Sequence, residues 1–194
     1  VFINEFHYDN DSTDVGEFIE IAGPAGTDLT GWSLVLYNGS STVRAPYDTD
    51  FLSGNIPDLG NGFGTVVLNY PTDGIQNGAP DGIALVDNNG SVVQFLSYEG
   101  TFEAASGPAA GLTSTDIGVS ETSSTPVGFS LQLSGTGSVY EDFTWSSPTP
   151  ATSTAVNDGQ TFTGGGSSGS NLVINEIIAS HTGTDNTEFV ELYG

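Results

Sequence analysis

The chain has 194 residues, of which 13% are charged and 10% are aromatic, and this aromatic content is typical of a folded protein rather than a disordered one. The 24 acidic residues are opposed by one cation, Arg44, so the formal net charge is -23. Binding to phosphate backbones requires Lys and Arg to displace counterions. The composition therefore argues against direct binding to nucleic acid or to an anionic membrane.

An acidic surface stays soluble at high ionic strength and attracts divalent cations, which favours a saline, calcium-containing, extracellular or cell-surface setting. Cysteine is absent, so disulfides and thiolate sites are excluded. No apolar run approaches the ~20 residues of a membrane helix, so no membrane insertion is expected. We expect the sequence to be mature or excised material from a longer polypeptide.

Turn dipeptides divide the chain into many short segments, for example Asn38-Gly39, Asp73-Gly74 and Asn89-Gly90. None of the segments has a sustained helical period. In 130–134 the leucines alternate with polar residues, as in a half-buried antiparallel sheet. The pattern predicts an all-β fold with strands at 1–8, 17–22, 32–37, 64–70, 82–87, 91–98, 127–134 and 140–145.

Two further local features can be assigned from the residues. Residues 85–93 predict a β-hairpin, because Asn-Gly tolerates the positive φ of a tight turn. Residues 104–125 are rich in Gly, Ala, Ser and Thr and predict a long surface loop.

The loop after the first strand gathers four carboxylates within nine residues: Asp9, Asp11, Asp14 and Glu17. Hard oxygen ligands of this kind bind calcium. The alternative is a solvated turn joining two strands. Asp48 and Asp50 form a second compact acidic pair that predicts either a turn or a weaker calcium site.

Glu5 and Glu20 lie among large apolar residues in predicted strands, so at least one is expected to be buried. A buried carboxylate needs hydrogen bonds, a cation or a proton, and hydrogen bonds are favoured over a metal. His7 has neither cysteine nor a second histidine in the same domain, which leaves little basis for zinc catalysis or a histidine triad. Trp32 and Trp145 predict core residues, with a sugar-stacking platform as the alternative.

The end of the chain repeats its beginning. Residues 164–170 contain only glycine and serine, as a flexible tether does. Beyond the tether, Ile-Asn-Glu of 3–5 recurs at 174–176, and the strand at 17–21 recurs at 188–192 with the same offset of 171 positions. The sequence therefore predicts a β-domain over 1–163, a linker over 164–170 and an incomplete second copy over 171–194. That last segment could be disordered, pack in cis or self-associate by adding strands to a neighbour.

The order of several motifs resembles the lamin-tail domain in its bacterial form, found beside secreted nucleases and other exported proteins. The resemblance covers residues 1 to about 162 and is carried by the segments 3–6, 17–21, 29–32, 81–87 and 155–160. It departs from the bacterial pattern at 151–154, where Thr-Pro-Gly is usual. The resemblance implies an immunoglobulin-like antiparallel β-sandwich.

It also implies a non-catalytic accessory module, often repeated in tandem. We therefore expect a non-enzymatic extracellular spacer, attachment or assembly unit of an exported multidomain or surface protein. Its partners would be a polysaccharide, a surface protein or, through residues 171–194, further copies of itself. The alternatives are a calcium-dependent carbohydrate-binding module and an accessory domain of a secreted nuclease whose catalytic domain lies elsewhere.

Overall fold

The computed structural model describes residues 1–164, 173–178 and 189–193. These residues contain β-strands and a single 3₁₀ turn at Tyr140–Asp142, and they include no helix long and apolar enough to cross a membrane. The strands are β1 (Phe2–His7), β2 (Phe18–Pro24), β3 (Ser33–Asn38), β4 (Ala45–Phe51), β5 (Phe63–Asn69), β6 (Asp81–Val86), β7 (Val92–Tyr98), β8 (Thr115–Asp116), β9 (Phe129–Gly137), β10 (Phe143–Pro150), β11 (Gln160–Phe162), β12 (Val173–Ile178) and β13 (Phe189–Tyr193).

Strands β1 to β11 form two sheets. The first sheet has the order β10-β9-β1-β2-β5, with β11 also paired to β9, and the second has the order β4-β3-β6-β7-β8. All pairings are antiparallel except the short ones of β11 with β9 and β7 with β8. The fold is an immunoglobulin-like β-sandwich, which confirms the predicted fold class.

The main core lies between the two sheets and contains residues from both, including Ile3, Ile19, Leu34 and Leu131. Alternation explains this, because every second side chain of a strand points to the same face. Trp145 is buried and meets the Phe6 ring edge-on at a centroid distance of 5.3 Å. Trp145 is therefore a core residue, and Trp32 is a partly buried neighbour of the same core.

A second apolar cluster covers the outer face of the second sheet. Tyr37 and Phe95 from the sheet pack there against Phe102, Ala104 and Ala109 from the following segment. Residues 104–125 form a largely exposed loop that contains only the short strand β8, as predicted, but Ala104 and Ala109 are buried against the sheet. Small side chains let this segment lie close to the sheet, where the Ala109 amide donates a hydrogen bond to the Tyr37 hydroxyl at 2.9 Å.

Strand β4 is an element that the sequence pattern missed. Asp48 and Asp50 lie within it and not in a turn, so the second predicted acidic turn is wrong. Pro46 and the two acids interrupt the apolar pattern by which a strand is recognised in a sequence. Proline and charged residues of this kind are typical of strands at sheet edges. β4 is indeed an edge strand of the second sheet.

Strands β12 and β13 pair with the register of β1 and β2. Ile174 pairs with Leu192 and Glu176 with Glu191, and an irregularity falls between the two pairs as it does between Ile3 and Glu5. The predicted copy of the opening hairpin is thus present as a hairpin. The tether at 165–170 lies outside the described residues, and the division into domains stays a prediction. The hairpin predicted at 85–93 is confirmed by the β6–β7 pairing.

Phe162 closes one end of the core. Its ring stacks on Phe63 at 4.9 Å and meets Phe143 edge-on at 5.7 Å. Phe162→Ala should lower the free energy of unfolding by about 3–5 kcal/mol, because it leaves a cavity among aromatic rings.

Phe51→Ala is the matched control, since this phenylalanine is 77% exposed. Its effect should stay within about 0.5 kcal/mol. Guanidinium denaturation followed by tryptophan fluorescence measures both variants. Equal losses in the two variants would contradict the packing assigned to Phe162.

Candidate functional site

The acidic loop between β1 and β2 folds inward. Asp9, Asp14 and Glu17 are buried, whereas Asp11 is exposed. The structure therefore brings three of the four predicted calcium ligands into one region and leaves the fourth outside it.

Two of the buried carboxylates are already engaged by hydrogen-bond donors. Glu17 accepts the backbone amides of Gly74 and Ile75 at 2.8 and 2.9 Å. Asp14 accepts the backbone amide of Asn10 and the Nδ2 of Asn77, each at 3.0 Å. These bonds attach the segment that follows β5 to the acidic loop. The carboxylates thus have a structural role whether or not a cation is bound.

Of the three buried carboxylates of the loop, Asp9 is the one that accepts no N–H or hydroxyl donor from the described residues. Burial, the nearby charge of Asp14 and a carboxyl–carboxyl contact between the two residues raise the pKa of Asp9 to about 6. Asp9 and Asp14 are the two residues that could share a cation, but calcium takes six to eight oxygens. Within the described part of the chain, no three His, Cys, Asp or Glu side chains are arranged to hold a metal. The calcium site stays a prediction.

His7 is buried between Glu121 and Asn10. Its Nδ1 lies 2.9 Å from Glu121 Oε1, and its Nε2 lies 3.0 Å from Asn10 Oδ1. The Asn10 side chain is oriented by other contacts, because Oδ1 accepts the amide of Val15 and Nδ2 donates to two loop carbonyls. Both ring nitrogens therefore face side-chain oxygens, and a doubly protonated imidazole would donate to both. Burial alone lowers the pKa of His7, but the hydrogen bond and charge of Glu121 outweigh it and raise the pKa.

Glu121 is a buried residue that sequence reasoning missed. Its Oε2 accepts the backbone amides of Tyr8 at 2.6 Å and Asp9 at 3.1 Å, and its own amide donates to the Tyr8 hydroxyl at 2.9 Å. Glu121 lies in a segment rich in Ser and Thr, and an isolated acid in such a segment would be expected to be exposed to solvent. No local pattern signals its partners, which are 112–114 residues away.

Glu5 and Glu20 form a second buried network, on the outer face of the first sheet. They are neighbours across β1 and β2, and neither has exposed surface. Glu5 accepts the Ser130 hydroxyl at 2.6 Å and the Thr152 amide at 2.8 Å. Glu20 accepts Asn4 Nδ2 at 2.9 Å and the Thr154 amide at 2.8 Å. Both buried acids therefore have hydrogen-bond donors within the protein, which is the alternative that the sequence favoured over a metal.

This network contains more acceptors than donors around Thr152. The Thr152 hydroxyl lies 3.0 Å from Glu5 Oε2, 3.2 Å from Gln132 Oε1 and 3.2 Å from Asn157 Oδ1. One hydroxyl hydrogen serves one of these three oxygens. Burial raises the pKa of Glu5, and burial together with the charge of Glu5 raises the pKa of Glu20 to about 7.

The network of Glu5 and Glu20 gives a substrate no access to its two acids. A glycosidic bond would have to lie between two carboxyl groups, and Glu5 and Glu20 are fully buried. A polar cleft of about 350 Å³ does open beside the acidic loop, with Asp14, Asp73 and Asp81 in its lining. Asp81 is held there by the amides of Gly39 and Gly78, at 2.8 and 2.9 Å.

Comparison with known protein families, with curated proteins and with solved structures finds no match to this chain. The resemblance to lamin-tail domains therefore stays a prediction.

Glu20 should make stability depend on pH. Its pKa in the folded protein, about 7, lies above the ordinary value of 4.5, so the folded state holds a proton that the unfolded state releases between these values. The free energy of unfolding should therefore fall as pH rises from about 4.5 to about 7, by on the order of 3 kcal/mol from this group. Glu20→Gln should flatten this slope.

Denaturant titrations at several pH values measure the slope. Glu103→Gln is the control, since Glu103 is exposed and should leave the slope as it is in the unsubstituted protein. A Glu20→Gln protein whose stability still falls with pH as steeply as before would refute the role given to Glu20.

The calcium prediction can be tested at Asp9. If calcium bridges Asp9 and Asp14, adding it at neutral pH should raise the melting temperature by about 3 °C or more. Asp9→Asn should abolish the gain, and Asp11→Asn should keep it because Asp11 is exposed. Identical melting curves in calcium and in chelator would show that the prediction is wrong.

Proposed function

We propose that this chain is a non-catalytic extracellular module, a spacer, attachment or assembly unit of an exported multidomain or surface protein. The observation that carries the proposal is the recurrence of one hairpin. β12 and β13 repeat the register and the irregularity of β1 and β2, 171 positions further along the chain. Repetition of a folding unit along a polypeptide is typical of spacers and arrays.

The chemistry of the buried acids supports a structural role. Glu5, Glu17, Glu20 and Glu121 are fully buried, and each accepts backbone amides. Catalytic acids need access to a substrate. These four side chains serve instead to attach loops to the first sheet.

The motifs behind the lamin-tail resemblance meet in space, which supports a common structural purpose for them. Asn157 from the closing segment donates to the Asn4 carbonyl at 3.1 Å, and Asn4 in the opening segment donates to Glu20 at 2.9 Å. Three separate motifs thus belong to one hydrogen-bonded network. We propose on this basis that the chain is a lamin-tail-like module.

The surface chemistry supports the extracellular setting. A net charge of -23 with one cation gives a surface that repels other acidic polymers and remains soluble in salt. A polysaccharide, a surface protein or a further copy of the chain are the partners we propose. Nucleic acid is not among them.

The proposal predicts that the protein has no turnover of its own. The purified chain should not hydrolyse DNA, RNA, esters or glycosides above the buffer background. Residues 1–164 should also unfold at the same temperature as the whole chain, because the sandwich contains its own core. Differential scanning calorimetry of both lengths measures this.

Hydrolysis that disappears on Glu5→Gln or Asp14→Asn would overturn the non-catalytic assignment. A large loss of stability on removal of 165–194 would overturn the proposal that residues 1–164 fold as an independent module. The fluorescence of Trp145, which is in the core, reports whether each variant is folded before its activity is judged.

A further inference from the structure

Asparagine is followed directly by glycine at 38–39, 61–62, 77–78 and 89–90. Asparagine is a thermolabile residue, and in such a pair the glycine nitrogen attacks the asparagine carboxamide with little hindrance, because glycine has no side chain. The four pairs share this intrinsic chemistry. They differ in what the structure does with the amide of the glycine.

The buried Asp81 holds two of these glycine amides. Its Oδ1 accepts the Gly39 amide at 2.8 Å, and its Oδ2 accepts the Gly78 amide at 2.9 Å. To react, the glycine nitrogen has to lose its proton and turn towards the asparagine carboxamide. A carboxylate opposes both changes, because it binds the amide hydrogen and repels the amide anion.

The packing around Gly39 explains why one of the two pairs needs this protection. A Cβ at position 39 would overlap the Pro80 carbonyl oxygen and the Phe102 ring. A larger residue would therefore displace backbone, so the fold requires glycine after Asn38. The reactive pair is a consequence of the packing, and the carboxylate of Asp81 lies where it limits the reaction.

The pair at 61–62 has no such carboxylate. The Phe63 amide donates to the Gly60 carbonyl at 3.2 Å, and the φ values of Asn61 and Gly62, 55° and 73°, are those of a type I′ turn. Gly62 is buried by its neighbours, yet none of the described residues accepts its amide. The Asn61 side chain is exposed to water.

The pair at 89–90 lies at the exposed tip of the β6–β7 hairpin. The Gly90 amide donates to a neutral acceptor, the Asp87 carbonyl, at 3.0 Å. Asn77 is exposed as well, although its glycine is held by Asp81. Exposure and the carboxylate contact therefore predict different behaviour for Asn77.

We propose that Asn61 and Asn89 are sites of spontaneous deamidation, and that Asp81 protects Asn38 and Asn77 from the same reaction. The glycine nitrogen bonds to the asparagine Cγ, the Cγ–Nδ2 bond breaks, and ammonia leaves with the hydrogen of the glycine amide. Water then opens the succinimide at either carbonyl and leaves aspartate or isoaspartate. This inference concerns the chemical lifetime of the fold and does not depend on the function proposed above.

The reaction at Asn61 alters a contact at the end of the sandwich. Asn61 Nδ2 donates to the Phe162 carbonyl at 3.0 Å, and the Phe162 ring stacks on Phe63. Deamidation replaces this donor with a carboxylate oxygen, which faces the carbonyl as a second acceptor. The backbone amide of Asn89 bonds within its own turn. The same reaction there should leave the fold unchanged.

Peptide mapping by mass spectrometry of the full chain, aged at mildly alkaline pH, tests the proposal. The same chain kept unfolded in urea gives the intrinsic rate of each pair. Folding should slow deamidation at Asn38 and Asn77 by about tenfold to a hundredfold, the range that a hydrogen bond to a charged group supports. It should slow the reaction at Asn61 and Asn89 by less. Equal protection of all four pairs, or faster reaction at Asn77 than at Asn61, would overturn the proposal.

Asp81→Ala should remove the protection at 38–39 and 77–78. Asp116→Ala is the matched control, because Asp116 accepts the amide of Gly118, which does not follow an asparagine. A folded Asp81→Ala protein with unchanged rates would refute the role of Asp81. If Asp81→Ala does not fold, the comparison of the four pairs within the unsubstituted chain still decides.

Asn61→Asp imitates one product of the reaction. It should lower the melting temperature by about 2–4 °C, because one hydrogen bond is lost. Amide exchange at 160–162 should become faster, whereas Asn89→Asp should change neither quantity. Unchanged melting and exchange in Asn61→Asp would show that the consequence assigned to this site is wrong.

Discussion

The structure depends on how a chain with one arginine buries its carboxylates. Glu5, Glu17, Glu20 and Glu121 have no exposed surface, and the Asp14 carboxylate is nearly as deep. A buried charge without a partner is costly. In the described region these acids accept hydrogen bonds from neutral groups, and the His7 imidazole beside Glu121 is the basic side chain that meets one of them. Amides, hydroxyls and retained protons replace the cations that other proteins would use.

This constraint shapes the loops. Each buried acid takes its donors from a segment distant in sequence, so a loop is fixed wherever an acid is buried. Glu17 fixes the segment after β5, Glu121 fixes the end of β1, and Glu5 and Glu20 fix the segment after β10. Burial raises the pKa of Glu5, Glu17 and Glu20, so the contribution of these three acids to stability is greatest at mildly acidic pH.

The repeated hairpin, β12 and β13, also places two acids opposite each other. Glu176 lies opposite Glu191, as Glu5 lies opposite Glu20. Like charges directly opposite each other destabilise a strand pair. In the first copy, β9 and the segment after β10 supply donors that offset this cost. A hairpin that retains the acid pair has a sequence suited to the same covering elements, which agrees with the proposed tandem repetition of the module.

Much of the fold could be read from the residues. Alternation of apolar and polar side chains gave most strands, Asn89-Gly90 marked the β6–β7 turn, and the offset of 171 positions revealed the repeated hairpin. The pattern failed at β4, where acids and proline concealed an edge strand, and it did not show that Ala104 and Ala109 of the predicted loop are buried against the second sheet. The sequence pattern showed that the loop after β1 is rich in acids. It did not show that Asp14 and Glu17 accept hydrogen bonds from other segments whereas Asp11 is exposed.

The sequence by itself determined the strand content, the surface charge and the repetition, because these depend on neighbouring residues or on simple counts. Only the tertiary structure decided which acids are buried and which donors they accept. Thr152 meets Glu5 from 147 positions away, and Glu121 meets His7 from 114. Donors so distant leave no local pattern, since they reach the carboxylates only after the two sheets have packed together.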